Sequence, residues 1–222
     1  MSILVIAAHP DDEVLGCGAT IARHAAAGED VHIIFVSDGE TSRGEIDPSA
    51  ISAREAMARK AAQVLGARPP VFLGFPDNQL DTVPLLDIAK AIEGATRDLT
   101  PRRIYTHHSG DLNVDHVQVA RACLTAFRPQ AGAHTVEDIL SFEVLSSTHW
   151  NEPSASFIPN VFISVEGFEE AKIAALEVYA SEMREWPHAR SLQSARHLMA
   201  MRGAVIGQPA AEAFTLLRRI ES

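Results

Sequence analysis

The chain has 222 residues, with 19 basic and 29 acidic side chains and a formal net charge of −10 at pH 7. This length is sufficient to bury the core of one large domain or of two small ones. The acidic balance argues against a nucleic-acid-binding protein, because such proteins contact phosphates through clustered Lys and Arg. No run of about 18 apolar residues predicts a transmembrane span.

The N-terminus and the cysteines bear on the cellular compartment. Residues 3–8 form a short apolar run that lacks the basic residues of a secretory signal and stops at a charged cluster. This run predicts a first core strand rather than a signal peptide. The two cysteines, Cys17 and Cys123, are far apart and fit no CxxC pattern. We therefore expect unpaired thiols and a cytoplasmic protein.

Short apolar runs alternate with Ala- and Leu-rich segments along the first 130 residues. The runs are rich in β-branched residues and predict strands, whereas the segments that stop at Gly28 and Gly66 predict helices. We predict strands at 3–8, 31–36, 71–73 and 103–106, and helices at 14–27, 49–65, 85–99 and 114–127. This alternation is typical of a parallel sheet with crossover helices on both faces.

The last third of the sequence is less regular. It predicts strands at 140–145 and 161–165 and helices at 168–185 and 192–205, with no low-complexity linker before them. The sequence thus predicts one α/β domain over residues 1–222, with a Rossmann-like three-layer core in 1–130. Its sheet is expected to be mostly parallel, and residues 131–222 are expected to add C-terminal strands and helices.

Two loops that follow predicted strands are rich in metal-ligand residues. The first, residues 9–13, reads His-Pro-Asp-Asp-Glu, and the second, residues 107–116, contains three histidines and two aspartates. Ligands of open α/β sheets bind at the carboxyl ends of the strands. Imidazole and carboxylate together suit zinc and similar ions, and a catalytic zinc needs about three protein ligands plus water. The loops therefore predict a catalytic metal site.

Three side chains of the first loop have separate expected roles. His9 and Asp12 are three residues apart across a tight loop that contains Pro10, so both can face one ion. We expect the third ligand to come from the second loop. Asp11 is the natural general base for a water that the ion acidifies to a pKa of about 7.

These residues resemble a known family. Residues 8–13, Ala-His-Pro-Asp-Asp-Glu, resemble the AHPDDE motif of the PIG-L/LmbE family of metal-dependent N-deacetylases, and Asp115-His116 resembles the end of that family's later motif. Similarity extends to Arg54-Glu55 and to residues 65–66, 73–78, 187–191, 202–203 and 211–214.

The resemblance implies a reaction and a set of roles. It implies hydrolysis of the N-acetyl group of an amino-sugar derivative, nucleotide-linked or part of a glycoconjugate precursor, to acetate and a free amine. It implies three ligands for Zn²⁺, or for Fe²⁺ or another divalent ion: His9, Asp12 and His116. Asp11 would be the general base, and Arg54 and Asp77 would contact sugar hydroxyls.

Other positions carry less certain roles. Better-known family members have a histidine that stabilises the oxyanion where this chain has Asn113, so Asn113, His108 or His188 is expected to donate there. Asp115 is expected to orient a neighbouring side chain. Arg190 is expected either to hold a substrate phosphate or carboxylate, or to cap a helix or pair with an acid.

Competing functions stay open at this point. The same ligand types could serve a metal phosphoesterase, or an amidohydrolase of a thiol–sugar conjugate. A dinucleotide-binding fingerprint at Gly16-Cys17-Gly18 is disfavoured, because Ile21 stands at the third glycine position. We expect a small N-acetylated sugar as substrate, no nucleic-acid partner, and C-terminal helices that could form a homo-oligomer.

Overall fold

The computed structural model describes residues 2–43, 47–131 and 135–221. Its strands are β1 (Ser2–Ala7), β2 (Asp30–Ser37), β3 (Val71–Phe75), β4 (Pro101–His107), β5 (Asp138–Phe142), β6 (Val161–Ser164) and β7 (Ala211–Arg219). Its helices are α1 (Asp12–Ala26), α2 (Pro48–Leu65), α3 (Leu85–Ala95), α4 (Val114–Ala126), α5 (Glu169–Val178) and α6 (Leu192–Val205).

The seven strands of the described chain lie in one sheet, in the order β3-β2-β1-β4-β5-β7-β6. Neighbouring strands from β3 to β5 are parallel. The last two pairs are antiparallel, because β7 runs between β5 and β6 in the opposite direction. The predicted α/β fold with a mostly parallel sheet is therefore confirmed.

Each face of the sheet has its own hydrophobic core, as the alternation of β1 shows. Ile3, Val5 and Ala7 pack with α1, α2, α5 and α6 on one face. The intervening residues of β1, Leu4 and Ile6, pack with α3 and α4 on the other face. A strand buried on both faces has no polar positions, which explains the continuous apolar run in the sequence.

The predictions for the C-terminal third are partly wrong. No strand was expected at β7, because Ala211, Glu212 and Ala213 have weak strand propensity. The predicted helix 168–185 ends at Val178, after which Tyr179 leaves the helical path and Glu182 closes a turn back to it. Strand β5 starts at Asp138 and ends at Phe142 rather than spanning 140–145. Tertiary contacts override local propensity in these places.

Helix α1 is kinked, and a buried ion pair fills the kink. Cys17 has non-helical dihedral angles, which leaves backbone groups on both sides without their helical partners. Lys172 donates to the carbonyl of Leu15 at 2.8 Å, and Glu212 accepts the N–H groups of Ala19 and Thr20 at 3.2 and 2.7 Å. The Nζ of Lys172 lies 2.6 Å from Glu212 Oε1, so the C-terminal region completes a helix of the core.

Two further expectations concern the thiols and membrane spans. Cys17 and Cys123 are buried and unpaired, as predicted. Across residues 2–43, 47–131 and 135–221, no helix combines the length and the apolar character needed to cross a bilayer.

Candidate metal centre

The candidate site lies where the strand order reverses, between β1 and β4. The loops that follow these neighbouring parallel strands leave the same edge of the sheet and meet there. His107, at the end of β4, ties the loops together by accepting the N–H of Ala8 at 2.8 Å. Its ring stacks on His116, with centroids 3.9 Å apart. Burial holds the pKa of His107 well below its usual value, which keeps its ring neutral.

His9, Asp12 and His116 converge beside this link. Asp12 Oδ2 lies 3.0 Å from His9 Nδ1 and 3.2 Å from His116 Nε2. All three side chains are buried, and each offers a ligand atom within 4.8 Å of the others. The fold thus brings together the three residues predicted as metal ligands.

The donor set fits a divalent cation. Asp12 Oδ1 is buried and has no hydrogen-bond partner among the described residues, although buried polar atoms normally find one. His116 Nε2 faces Asp12 Oδ2 at 3.2 Å, but this contact lacks hydrogen-bond geometry. The other ring nitrogen of His116, Nδ1, lies 3.2 Å from Asp111 Oδ2. A carboxylate in this position fixes the ring so that its free nitrogen faces an ion. Two imidazoles and one carboxylate are a ligand set that suits zinc.

The electrostatics also favour a cation at this position. Burial opposes a charge on His116, but Asp12 and Asp111 raise its pKa to about 9. Burial likewise opposes a charge on His9, yet its contacts with carboxylates raise its pKa well above the usual value. Burial works against ionisation of Asp12, but His116 and His9 hold its pKa well below the usual range. The pocket attracts positive charge, and a divalent ion would meet the same field as a proton.

Asp11 starts α1 in an uncommon backbone conformation. Its φ is 125°, a value that costs a non-glycine residue of order 1–3 kcal/mol. Glu13 Oε2 accepts the N–H of Asp11 at 2.9 Å, and Tyr179 donates its hydroxyl to Glu13 Oε1 at 2.7 Å. Burial raises the pKa of Glu13 to about 8. Glu13 and Tyr179 therefore hold the backbone that aims the Asp11 side chain.

The two carboxylate oxygens of Asp11 have different surroundings. Oδ2 lies 2.9 Å from Arg190 Nη1 and 3.4 Å from Arg54 Nη2. Oδ1 is buried and has no hydrogen-bond partner in the described chain. Burial raises the pKa of Asp11, and the two arginines offset part of that rise. Oδ1 is therefore the oxygen available to receive a proton.

A polar cleft of about 100 Å³ opens beside Asp11. It is lined by His9, Asp11, Gly39, Ser42, Arg54, Asp77, Asn78, Asn113 and Arg190. Asn113 caps α4 by accepting the N–H of Asp115 through Oδ1, so its amide nitrogen is left to donate, at present to Asn78 Oδ1 at 3.3 Å. Six of the residues predicted from the sequence to act at the site therefore line the cleft: His9, Asp11, Arg54, Asp77, Asn113 and Arg190.

Two predicted residues point elsewhere. His108 Nε2 lies 3.0 Å from the carbonyl of Ala155, and its ring packs edge-on against Phe157. His188 is exposed, and its Nδ1 accepts the N–H of Arg190. Within the described residues, no hydrogen bond or ion pair joins either histidine to the metal-ligand cluster or to Asp11.

Asp115 and Asp77 both contact the far nitrogen of His9. Nε2 of His9 lies 3.0 Å from Asp115 Oδ2 and 3.1 Å from Asp77 Oδ1, so these three side chains form a second group with metal-ligand spacing. However, the oxygens of Asp115 already accept the N–H groups of Asn78 and Leu80, at 2.7 and 2.9 Å. Asp115 thus anchors the loop after β3 and orients His9.

Several residues that support the site have no role predicted from the sequence. They are Glu13, Asp111, Ser147, Thr148, Tyr179 and Glu182. Glu13 and Asp111 lie inside the two loops, and their proximity to the ligands was a usable signal. The other four come from the C-terminal region, and only the fold brings them to the site.

A comparison with protein families assigns the chain. The model of the PIG-L family, described as GlcNAc-PI de-N-acetylase, matches residues 4–127. The chain belongs to the PIG-L family. The matched segment contains most of β1, all of β2 to β4, and both loops of the candidate site. The resemblance seen in the sequence is confirmed, and so is the expectation of a hydrolase that acts on N-acetyl amide bonds.

Curated relatives cover most of the chain. An uncharacterized deacetylase of Escherichia coli, YaiS, is 34% identical over 185 residues, which is 81% of this chain and 90% of that protein. A 1D-myo-inositol 2-acetamido-2-deoxy-alpha-D-glucopyranoside deacetylase of Rhodococcus erythropolis is 26% identical and covers 83% and 82%. A 4-oxalmesaconate hydratase of Pseudomonas putida is 26% identical and covers 92% and 83%. The relatives of this chain therefore include a protein named for another reaction.

Solved structures share the whole fold. The conserved protein TT1542 of Thermus thermophilus has a TM-score of 0.80 and 26% identity, and the match covers 100% of this chain and 97% of that one. N,N'-diacetylchitobiose deacetylase of Pyrococcus horikoshii has a TM-score of 0.78 and 20% identity, with 97% and 83% covered. The C-terminal strands and helices, which lie beyond the family model's match, thus also recur in related folds.

Proposed function

We propose that this PIG-L protein is a zinc-dependent N-deacetylase that hydrolyses the N-acetyl group of an amino-sugar derivative. One observation carries the proposal: a buried His9–Asp12–His116 donor set stands beside Asp11, whose Oδ1 has no hydrogen-bond partner within the described parts of the chain. The inositol-sugar and chitobiose deacetylases among its relatives and fold neighbours support an N-acetylated sugar as substrate. Free, buried cysteines support a reducing compartment such as the cytoplasm.

The three ligand residues would hold the metal, and the remaining chemistry belongs to the chain. A bound divalent cation supplies Lewis acidity, which polarises a carbonyl and makes water more acidic. Asp11 takes the proton of the attacking water on Oδ1 while the water oxygen bonds to the acetyl carbon. The C–N bond then breaks, and Asp11 returns the proton to the leaving nitrogen. The products are acetate and the free amine.

Asn113 is the better-placed oxyanion donor of the three residues considered. It lines the cleft, and its cap bond to the N–H of Asp115 engages its oxygen, so the NH₂ group is the part left to donate. His108 is turned toward Ala155, and His188 is exposed beside Arg190. A neutral amide donor stabilises a developing oxyanion without adding a charge to the site.

Substrate contacts are proposed for Asp77 and Arg54, which also line the cleft. Asp77 lies close to His9 through Oδ1 and accepts a hydrogen bond from Ser42 through Oδ2, and Arg54 reaches Asp11. Sugar hydroxyls can exchange hydrogen bonds with such a carboxylate and guanidinium. His188, which is exposed and two residues from Arg190, is proposed to meet the distal part of a larger substrate. Arg190 also lines the cleft, but its contact with Asp11 suggests a different role, which is developed below.

The geometry does not favour a two-metal phosphoesterase. The second ligand-spaced group, with Asp77 and Asp115, shares His9 with the first. Asp115 already accepts two backbone N–H groups, so a second ion would have to displace these bonds. One metal per chain is the expectation.

The proposal is tested by metal analysis followed by acetate release. The panel contains N-acetylglucosamine derivatives that are free, lipid-linked, nucleotide-linked or joined to inositol, with an unsaturated dicarboxylic acid as a hydration probe. We expect one metal per chain and acetate release from at least one sugar. Chelator-treated protein should release no acetate and should not hydrate the dicarboxylic acid. Hydration of the dicarboxylic acid without acetate release from any sugar would contradict the proposal.

A further inference from the structure

Arg190 has a set of partners that a substrate clamp would not need. Its Nη1 lies 2.9 Å from Asp11 Oδ2, and its Nε donates to Ser146 Oγ at 2.8 Å. Glu182 Oε2 lies 3.7 Å from the same Nη1. The charge of Arg190 is therefore already matched by buried carboxylates, and its guanidinium is fixed at both ends.

Glu182 also joins the second arginine to this group. Its Oε1 lies 2.5 Å from Arg54 Nη1, and Nη2 of Arg54 faces the same oxygen of Asp11 that Arg190 holds. Glu182 and Arg54 are buried. A buried charge is tolerated only when opposite charges and hydrogen bonds compensate it. Arg54 and Arg190 thus form one charge-compensated cluster with the carboxylates of Glu182 and of Asp11, the proposed general base.

Two members of this cluster, Glu182 and Arg190, come from a short segment of the C-terminal region. The connection between α5 and α6 contains Tyr179, Glu182 and Arg190, and it is closed by the backbone bond from Arg184 N–H to the carbonyl of Arg190 at 2.9 Å. Tyr179 supports the backbone of Asp11 through Glu13. Arg190 holds the Asp11 carboxylate directly. The same segment therefore fixes both ends of one catalytic side chain.

We propose that Arg190, backed by Glu182, is a positioning residue for Asp11 rather than a clamp for a substrate anion. Arg190 holds Oδ2 of the carboxylate, which leaves Oδ1 turned toward the water that is to be deprotonated. The inference rests on the proposed function, because it takes Asp11 as the general base. It assigns the α5–α6 connection an indirect part in catalysis, which it exerts through the Asp11 side chain.

The kinetic test compares Arg190→Ala, Arg190→Lys and Glu182→Gln with wild type, using an uncharged N-acetyl sugar. We expect kcat to fall about a hundredfold in Arg190→Ala, because small misplacements of catalytic groups have effects of this size. KM should change less than about threefold, and metal content should be unchanged. Added guanidinium should raise the kcat of Arg190→Ala at least about tenfold. Arg190→Lys should retain more activity than Arg190→Ala. Glu182→Gln should lose about tenfold.

The matched control is Arg196→Ala on α6, which removes an arginine whose partner is the surface residue Glu170. It should keep wild-type kcat and KM. The comparison is repeated with a phosphate-bearing N-acetyl sugar. A rise in KM at constant kcat in Arg190→Ala with the phosphate-bearing sugar, and no change in either constant with the uncharged one, would show a substrate clamp and overturn the proposal.

A structural measurement separates this proposal from the proposed function. Crystal structures of metal-loaded wild type and Arg190→Ala should show the Asp11 carboxylate rotated or split between conformers in the variant. An Asp11 side chain that keeps its wild-type position without Arg190 would refute positioning, whatever the activity. If Asp11 moves but wild type releases acetate from no sugar in the panel, the positioning role stands and the proposed reaction fails.

Discussion

The region before residue 128 and the region after residue 134 contribute differently to the same site. The first contains the proposed ligands His9, Asp12 and His116 and the base Asp11, which lie in the loops after β1 and β4 or in the first turn of the helix that follows each loop. The second supplies Tyr179 and other side chains that hold those residues in place. The first region contains the residues proposed to react, and the second contains many of the residues that position them.

The difference follows from how each region meets the sheet. Parallel strands deliver the loops after β1 and β4 to one edge, so short motifs suffice to place the ligands. The C-terminal supports cross large sequence separations instead. Tyr179 reaches Glu13, Lys172 reaches Leu15, and Arg190 reaches Asp11. Such contacts leave no local pattern in the sequence.

The largest effect is expected for a substitution in the region before residue 128, at the proposed base Asp11. Asp11→Asn keeps the size of the side chain but removes the proton acceptor, so we expect kcat to fall by about 10²–10⁴-fold. Metal content should stay at the wild-type level, because Asp11 is not among the proposed ligands. Acetate release and metal analysis on the same preparation measure both quantities.

The control for this prediction is His116→Ala, which should lose metal and activity together. An Asp11→Asn enzyme that binds metal and keeps near-normal turnover would exclude Asp11 as the base. Loss of metal from Asp11→Asn would instead place Asp11 among the ligands.

The two regions also differ in how well their secondary structure was predicted from the sequence. The elements of the first 127 residues were predicted because buried parallel strands and their crossover helices have distinct periodicities. The strand β7 and the early end of α5 were missed. Ala211 and Glu212 have weak strand propensity, and residues 179–185 have the composition of a helix although Tyr179 is held by Glu13. In both cases a tertiary contact decides the structure.

The candidate site was predictable to the same extent. The motif at residues 8–13 and the histidine at 116 located the residues that the fold brings together. His108 was expected near the reaction, but the carbonyl of Ala155 holds its ring away. The roles inferred for Asp111 and Glu182 depend on side-chain directions in three dimensions, which a single sequence does not contain.

The second-largest effect tests whether the C-terminal region holds α1. Lys172→Met leaves Glu212 buried without its cation, and removing one partner of a buried pair costs about 3–5 kcal/mol. Urea denaturation should show this loss in the free energy of unfolding. The exposed pair of Arg196 and Glu170 provides the control, because Arg196→Ala should cost less than about 1 kcal/mol. Equal losses in the two variants would contradict a special role for the kink.

A third prediction concerns how both regions hold His116. Asp111→Asn should weaken metal binding by about 10–100-fold, because the carboxylate beside a metal-binding histidine orients its ring. Thr148 of the C-terminal region donates to Asp111, so Thr148→Val should also weaken metal binding, but by a smaller factor. Metal titration with a competing chelator measures the metal affinity of both variants. Asp87→Asn on the exposed side of α3 is the control, and an effect in Asp111→Asn no larger than in Asp87→Asn would exclude this orienting role.

The smallest effect is expected for an ion pair that lies wholly within the C-terminal region. Burial opposes ionisation of Glu143, but His149 and Arg202 keep its pKa below the usual 4.5. A carboxyl whose pKa is lower in the folded state stabilises the fold above pH 4.5 and loses that contribution as the pH falls through its folded value. Glu143→Gln should therefore lower the free energy of unfolding by about 1–2 kcal/mol at pH 7 and by progressively less below pH 4.5.

Urea denaturation across this pH range checks the trend, with Glu93→Gln in the exposed pair with Arg128 as the control. Metal content should not change, since Glu143 pairs with residues of its own region, and a cost that is independent of pH would contradict the assignment of the effect to its charge.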